Sequence, residues 1–137
     1  MSVFIDSSVW FAAAVRQDTW NTAAQAILSR VTDRLTTDHI LVETWLLLNS
    51  RRRRDAAQRL WNRIRAGVAR LEFVVPADLE TAWAIGEAFP DQDFSIVDRT
   101  SFAVMERLGI TRVASFDDHF AVYRYGRKRD RAFEVLR

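Results

Sequence analysis

Short apolar segments alternate with longer amphipathic segments along the whole of this chain. The short segments have the length and the apolar composition of buried strands in a parallel sheet. Because strands that alternate with helices form parallel, layered sheets, this pattern predicts an α/β fold. The segments predicted as strands are Val3–Ile5, Arg34–Thr37, Leu71–Val75, Thr111–Phe116 and Ala132–Leu136.

Six segments between these strands have the spacing and end signals of helices. Asp38 is a predicted N-cap, and Gly109 is a predicted C-terminal stop. One of the helices carries an apolar stripe composed of Ala57, Leu60, Trp61, Ile64 and Val68. The predicted helices are Val9–Val15, Thr19–Val31, His39–Ser50, Asp55–Ala69, Asp78–Phe89 and Ser95–Leu108.

The length of 137 residues predicts a single domain spanning residues 1–137. The chain has no cysteine, which excludes disulfides, thiolate metal sites and a cysteine nucleophile. The longest apolar run, Val9 to Val15, is far too short to span a membrane. With no secretory signal recognisable at the N-terminus, we expect a soluble, cytoplasmic protein.

Charge is distributed unevenly along the sequence. Residues 51–70 contain eight arginines and one aspartate, whereas residues 71–98 contain seven acidic residues and no basic one. On a continuous helix, Arg52, Arg59, Arg63 and Arg70 would form a stripe able to follow RNA phosphates. An exposed, solvated helix face, or a surface that binds an acidic partner segment, would have the same composition.

Four carboxylates occupy positions where a parallel sheet would gather them. Asp6 and Asp117 follow predicted strands, while Glu43 and Asp98 lie near the starts of predicted helices. Because ligands of open parallel sheets bind at the carboxyl ends of strands, we expect these residues at one site. Such a group repels itself unless a cation is present, and its oxygen ligands suit Mg²⁺ or Mn²⁺.

Each acid also has a purely structural interpretation. Asp6 is able to end a strand, Glu43 favours the helix dipole, and Asp117 is able to cap a turn. Ser95 and Asp98 have the spacing of a capping box, in which both would serve the start of a helix.

The order of these motifs resembles that of PIN domains, which are metal-dependent ribonucleases. The matching segments are Asp6-Ser7-Ser8, Leu41-Val42-Glu43, Asp93 to Asp98 running into Ser101 to Met105, and Ser115 to Phe120. The length of the chain and the position of Asp6 are similar to those of VapC-type toxins of bacterial and archaeal toxin–antitoxin pairs. The basic segment Arg124–Arg131 departs from the family pattern.

The resemblance implies a three-layer α/β/α sandwich and an endoribonuclease that requires Mg²⁺ or Mn²⁺. Carried over by position, Asp6 and Asp98 would hold the metal, and Glu43 and Asp117 would complete the catalytic group. Ser8 would steady the first carboxylate or a bound water. Asp93 and Asp118 are supporting candidates, and the histidines, His39 and His119, belong to no recognisable catalytic triad.

The resemblance also implies RNA and a cognate antitoxin as partners. The predicted helix from His39 is apolar nearly all round, with residues that include Val42, Leu46 and Leu47. A homodimer, an antitoxin groove or complete burial in one monomer would each account for this surface. Two other functions compete with the ribonuclease. An inactive PIN-like domain would bind RNA or act as a scaffold, and a phosphoacceptor receiver domain would require a lysine at a late strand end.

Overall fold

Five strands and seven helices alternate in this protein, whose computed structural model describes residues 1–137. The strands are β1 Val3–Ile5, β2 Arg34–Thr37, β3 Arg70–Glu72, β4 Arg112–Ala114 and β5 Glu134–Leu136. The helices are α1 Ser7–Ala14, α2 Asn21–Arg30, α3 Asp38–Ser50, α4 Arg54–Arg65, α5 Pro76–Ala88, α6 Ile96–Leu108 and α7 His119–Val122.

The strands form one parallel sheet in the order β3-β2-β1-β4-β5, flanked by helices. This confirms the predicted α/β class. Strands β1, β2 and β3 lie side by side in that order, and β4 then pairs with the other edge of β1. In the register of that pair, Phe4 lies opposite Val113 and Ile5 lies opposite Ala114. The order of strands therefore reverses between β1 and β4, which is where open parallel sheets bind ligands.

The core lies on both sides of the central strands. All three residues of β1 are buried, as expected for a strand covered by helices on both faces. Beside it, the rings of Phe102 and Tyr123 stack with centroids 4.2 Å apart. The Tyr123 hydroxyl donates to Glu106 Oε2 at 2.9 Å, so its polar end is satisfied at the edge of the core.

Helices α5 and α6 are joined by an ion pair around a buried carboxylate. Arg107 Nε donates to Asp78 Oδ1 at 2.9 Å, and Arg107 Nη2 donates to Asp78 Oδ2 at 3.0 Å. The second oxygen also accepts from the Val75 backbone at the start of α5. Contact with Asp78 raises the pKa of Arg107 against the opposing effect of burial. The pair therefore ties the C-terminal end of α6 to the start of α5.

Two expectations about helix ends are wrong. Thr37, and not Asp38, caps α3, since the Thr37 hydroxyl accepts from the Ile40 amide at 3.0 Å. Asp38 instead accepts from the Val74 amide at 2.9 Å and links α3 to the segment after β3. Helix α4 ends at Arg65 rather than near Ala69, because a turn with Gly67 at positive φ follows it.

The early end of α4 overturns the predicted arginine stripe. Of the four arginines in that stripe, only Arg59 and Arg63 lie on this helix. Arg52 lies in the turn between α3 and α4 with a positive φ, and Arg70 begins β3. The apolar stripe is also narrower than predicted, because Trp61 is half exposed.

No helix in the structure has the length and apolar character needed to cross a membrane.

Candidate active site

Two sheet strands deliver acidic residues to the point where the strand order reverses. Asp6 follows β1 and caps α1. Its backbone N–H donates to the carbonyl oxygen of Ala114, at the end of β4. Asp117 lies three residues beyond the end of β4, and its Oδ1 accepts from the His119 amide at 2.7 Å. Because β1 and β4 are adjacent and parallel, these two carboxylates lie at the same edge of the sheet, beyond the carboxyl ends of the strands.

Two helices supply the other acids. Glu43 lies in the second turn of α3 and reaches α1, where Ser7 Oγ donates to Glu43 Oε1 at 2.6 Å. Asp98 lies in the first turn of α6, where Ser95 and Asp98 form the predicted capping box. We call Asp6, Glu43, Asp98 and Asp117 the acidic cluster.

In each carboxylate of this cluster, one oxygen accepts short hydrogen bonds and the other has no close donor. Asp6 Oδ2 accepts from Ser8 Oγ at 2.7 Å and from Ser115 Oγ at 2.9 Å, whereas Oδ1 has only a long 3.5 Å contact with Ser7. Asp98 Oδ2 accepts from the Ser95 amide at 3.0 Å, and its Oδ1 has no protein donor.

Glu43 and Asp117 repeat this arrangement, each with one oxygen bonded and the other without a donor. The capping role of Asp98 and a binding role are therefore compatible, since they use different oxygens.

The acidic cluster has an electrostatic cost in the absence of a cation. Burial raises the pKa of Asp6, and the nearby Asp98 charge adds to that effect. Burial likewise raises the pKa of Glu43, with repulsion from the other three acids as a further cause. The pKa of Asp98 is raised chiefly by burial, although its hydrogen bonds with Ser95 and His119 oppose the change. No lysine or arginine forms a salt bridge with any member of the cluster.

His119 is the one basic side chain in contact with these acids. Its Nδ1 lies 2.6 Å from Asp98 Oδ2 and 3.2 Å from Asp117 Oδ1. Because ionised carboxylates only accept hydrogen bonds, Nδ1 carries the hydrogen in this arrangement. Partial burial opposes protonation, but the two neighbouring charges outweigh it and raise the pKa of His119. His119 thus links two members of the acidic cluster.

The acids can hold a metal ion. One ligand atom from each of Asp98, Asp117 and His119 lies within 4.8 Å of the others. The family resemblance implied Asp6 and Asp98 as the metal ligands, and this compact group shares only Asp98 with that pair. Uncompensated, partly buried carboxylates with unbonded oxygens are suited to a hard divalent cation.

A cavity of about 640 Å³ opens over the acidic cluster. Ser7, Ser8 and Asp93 also line it, together with Trp20 and Phe116 and the side chain of Arg51. We call it the acidic cavity.

Asp118 lies outside the acidic cavity. Its side chain is 82% exposed and accepts from Arg137 Nη2 at 3.0 Å. The predicted RNA-binding arginines also lie elsewhere: Arg59 and Arg63 line a separate cavity beside Trp10, and Arg52 and Arg59 line a groove near Arg16. The structure therefore does not bring these residues into the acidic cavity.

Sequence reasoning missed the hydroxyls that orient the acids. Ser7 and Ser115 lie within segments that resemble the family pattern, but no role was predicted for either, and each donates to a carboxylate of the cluster. A serine placed one residue after Asp6, and another two residues before Asp117, were the available signals.

The chain is similar to known toxins over most of its length. A family model for the PIN domain matches residues 3–125. The 23S rRNA-specific endonuclease VapC20 of Mycobacterium tuberculosis is 37% identical over 121 residues, covering 87% of this chain and 92% of that protein.

Solved structures give the same relationship. The crystal structure of Mycobacterium tuberculosis VapC20, described as a sarcin-ricin loop cleaving toxin, superposes with a TM-score of 0.80 at 33% identity. The superposition covers 85% of this chain and 90% of the VapC20 chain. A chain of a toxin–antitoxin complex from Klebsiella pneumoniae shares the fold, with a TM-score of 0.63 at 12% identity. That match covers 88% of this chain and 91% of the Klebsiella chain. The match of the family model, the identity to VapC20 and the parallel sheet agree, and the chain belongs to the PIN-domain family as a homologue of the VapC toxins.

Proposed function

We propose that the acidic cluster catalyses hydrolysis of RNA phosphodiester bonds and that the reaction requires Mg²⁺ or Mn²⁺. Asp6, Glu43, Asp98 and Asp117 are the catalytic residues in this proposal. The observation that carries it is the set of four carboxylates that each have one oxygen fixed by the protein and another left unbonded in the same cavity.

The general activity follows from homology: the chain is a VapC-type endoribonuclease of a toxin–antitoxin system. The competing hypothesis, an inactive PIN-like scaffold, predicts a degenerate site. The four acids are present, and three of them have raised pKa values that oppose folding at neutral pH. Uncharged residues are able to cap helices, so the presence of four carboxylates that pair with no lysine or arginine favours a catalytic role.

The unbonded oxygens of the cluster are those available to a divalent cation. Such an ion, when bound, supplies charge neutralisation at the phosphate and activation of water. Ser8 and Ser115 hold the Asp6 carboxylate in one orientation, and Ser7 does the same for Glu43. His119 donates its Nδ1 hydrogen to Asp98 Oδ2, and Asp98 Oδ1 has no protein donor. Preorganised ligands of this kind lose little entropy on binding.

We further propose that the substrate is ribosomal RNA, as in the name of the VapC20 relative. An identity of 37% over 121 residues supports a related substrate class. Ribosomes are found in the cytoplasm, which is the location that the sequence predicted.

Arg52, Arg59 and Arg63 remain a proposed RNA-binding surface, now on two separate elements. Arg59 and Arg63 are exposed on α4, and both have their guanidinium groups free of salt bridges. If they contact phosphates, replacing all three by alanine reduces the dependence of RNA affinity on salt concentration. An unchanged salt dependence would contradict this role.

A cognate antitoxin and a second copy of the chain are the proposed protein partners. Helix α3 exposes Val42, Leu46 and Leu47, and Ile96 is exposed at the start of α6. An apolar face of this kind is typical of a protein interface. We propose that it mediates the homodimer, and light scattering of Leu46→Glu, with a loss of dimer expected, tests this. A wild-type monomer would contradict it.

Cleavage of a mixed RNA pool by the purified protein tests the catalytic proposal. Reactions contain Mg²⁺, Mn²⁺ or EDTA, and compare the wild type with Asp98→Asn and Asp130→Asn. The asparagine introduced by Asp98→Asn retains an oxygen for the Ser95 amide, so the capping box is preserved. Asp130 is exposed and does not line the acidic cavity, which makes it the matched control for loss of one negative charge.

We expect cleavage with either cation, none with EDTA, and none with Asp98→Asn. Asp130→Asn should cleave like the wild type. Full activity of Asp98→Asn would refute the assignment of Asp98, whereas cleavage in EDTA would refute the metal requirement.

A further inference from the structure

A pair of stacked aromatic rings borders the acidic cavity on one side. The rings of Trp20 and Phe116 lie with centroids 5.0 Å apart and planes inclined by 18°. Both residues line the acidic cavity. Trp20 is 51% exposed, so stacking on Phe116 leaves much of the indole open. We call this pair the aromatic platform.

The backbone around the aromatic platform is connected to the acidic cluster. Phe116 lies between Ser115 and Asp117, and its amide donates to Ser8 Oγ at 3.0 Å. Ser8 Oγ in turn donates to Asp6. The Trp20 amide donates to Asp18 Oδ1 at 2.8 Å, which holds the turn before α2. The platform is therefore fixed relative to the carboxylates.

The open indole of Trp20 adjoins a site for phosphate chemistry. In a nucleic acid, each phosphate is joined through its sugar to a flat base. A phosphate placed at the acidic cluster must therefore have bases nearby, and an unpaired base is free to stack on an open indole. Arg51, on the same cavity, provides a positive charge that a neighbouring phosphate can contact.

We propose that the aromatic platform binds an unpaired nucleobase next to the cleaved phosphate. The inference rests on the proposed ribonuclease function and adds a base-binding subsite to it. In duplex RNA every base is paired and stacked within the helix, so the indole has no free base face to contact.

Binding and fluorescence measurements test the platform without cleavage. Two RNA probes share a stem: a hairpin with an eight-nucleotide loop containing 2-aminopurine, and a fully paired duplex. They are titrated in EDTA with the wild type, Trp20→Ala, Trp20→Phe and Trp83→Ala. Trp83 is 68% exposed on α5 and does not line the acidic cavity, so it is the matched control.

Trp20→Ala should bind the hairpin about tenfold more weakly, within the range for loss of one stacked base. Trp20→Phe should recover most of that affinity, and Trp83→Ala should bind like the wild type. The 2-aminopurine fluorescence should be quenched by the wild type and by Trp20→Phe, and much less by Trp20→Ala. Affinity for the duplex should be the same in all four proteins.

Equal hairpin affinity and equal quenching in the wild type and Trp20→Ala would overturn the base-binding subsite and leave a protein partner as the occupant of the indole. Equal losses of hairpin and duplex affinity would overturn contact between Trp20 and an unpaired base. These results are separable from failure of the proposed function, because that failure is scored by cleavage in Mg²⁺ and by Asp98→Asn. Circular dichroism of Trp20→Ala verifies its fold, and Trp20→Phe keeps the test valid if that variant misfolds.

Discussion

Replacing Asp6 by asparagine should stabilise the cation-free protein while abolishing cleavage. Asp6 is only 4% exposed, and burial raises its pKa despite hydrogen bonds from Ser8 and Ser115. The raised pKa means that the fold disfavours the charged form overall. Asparagine removes this charge and keeps an oxygen that both hydroxyls can reach.

The sign of the effect follows from the link between pKa and stability. At a pH above both pKa values, a charge that the fold disfavours lowers the free energy of unfolding. We expect Asp6→Asn to raise that free energy at neutral pH by about 1–2 kcal/mol, a gain common for a single stabilising substitution. For a chain of this length, that is an increase in Tm of about 3–6 °C.

The pH dependence has a defined sign. Asp6 in the folded protein has a higher pKa than in the unfolded chain, so wild-type stability declines as pH rises through this interval. The advantage of Asp6→Asn should therefore grow as pH rises through this interval and disappear as pH falls to the range where Asp6 is protonated in both states.

Urea denaturation in EDTA and in Mg²⁺ provides the assay, with Asp130→Asn as the control. A cation at ten times its Kd stabilises the wild type by about 1.4 kcal/mol, and Asp6→Asn should lose much of that gain. The stability difference between the two proteins should thus shrink or reverse in Mg²⁺. Destabilisation by Asp6→Asn in EDTA at pH 7 would refute the reasoning, because it would mean that the charged form is favoured in the fold.

Two further substitutions separate orientation of the acids from support of the fold. Ser7→Ala removes the donor to Glu43 Oε1 and should slow cleavage about 10–100-fold with little change in urea stability; an unchanged rate at saturating Mg²⁺ would contradict the role of Ser7. Arg107→Met leaves Asp78 buried with one backbone donor and should lower the free energy of unfolding by about 2–4 kcal/mol. Urea midpoints measure that loss, and a loss below about 1 kcal/mol would indicate that the ion pair is structurally minor.

The short apolar segments and the residues that begin and end the helices were sufficient to predict a parallel sheet. Buried parallel strands are apolar along nearly their whole length, which distinguishes them from amphipathic helices. The position of two acids followed from the same rule, since Asp6 directly follows β1 and Asp117 lies three residues after the adjacent strand β4. Their catalytic roles stay a prediction, as does the single-domain boundary at residues 1–137.

The errors have local causes that periodicity cannot reveal. Arg52 matches Arg59 and Arg63 in helical spacing, but a left-handed residue at Arg52 separates two helices. The pairing of Ser7 with Glu43 joins residues 36 positions apart, and hydroxyls of this kind have no periodic signal. The stacking of Trp20 on Phe116 likewise depends on a contact between two loops that only the folded chain brings together.

The position of β4 in the sheet has a consequence for how this toxin is made. Its central strand β1 receives its second neighbour only after Arg112–Ala114 has been synthesised, and Asp117 comes later still. A nascent or prematurely terminated chain that ends before Arg112 lacks one wall of the acidic cavity and one of its four acids. The ribosome therefore completes most of this protein before the acidic cavity is able to form.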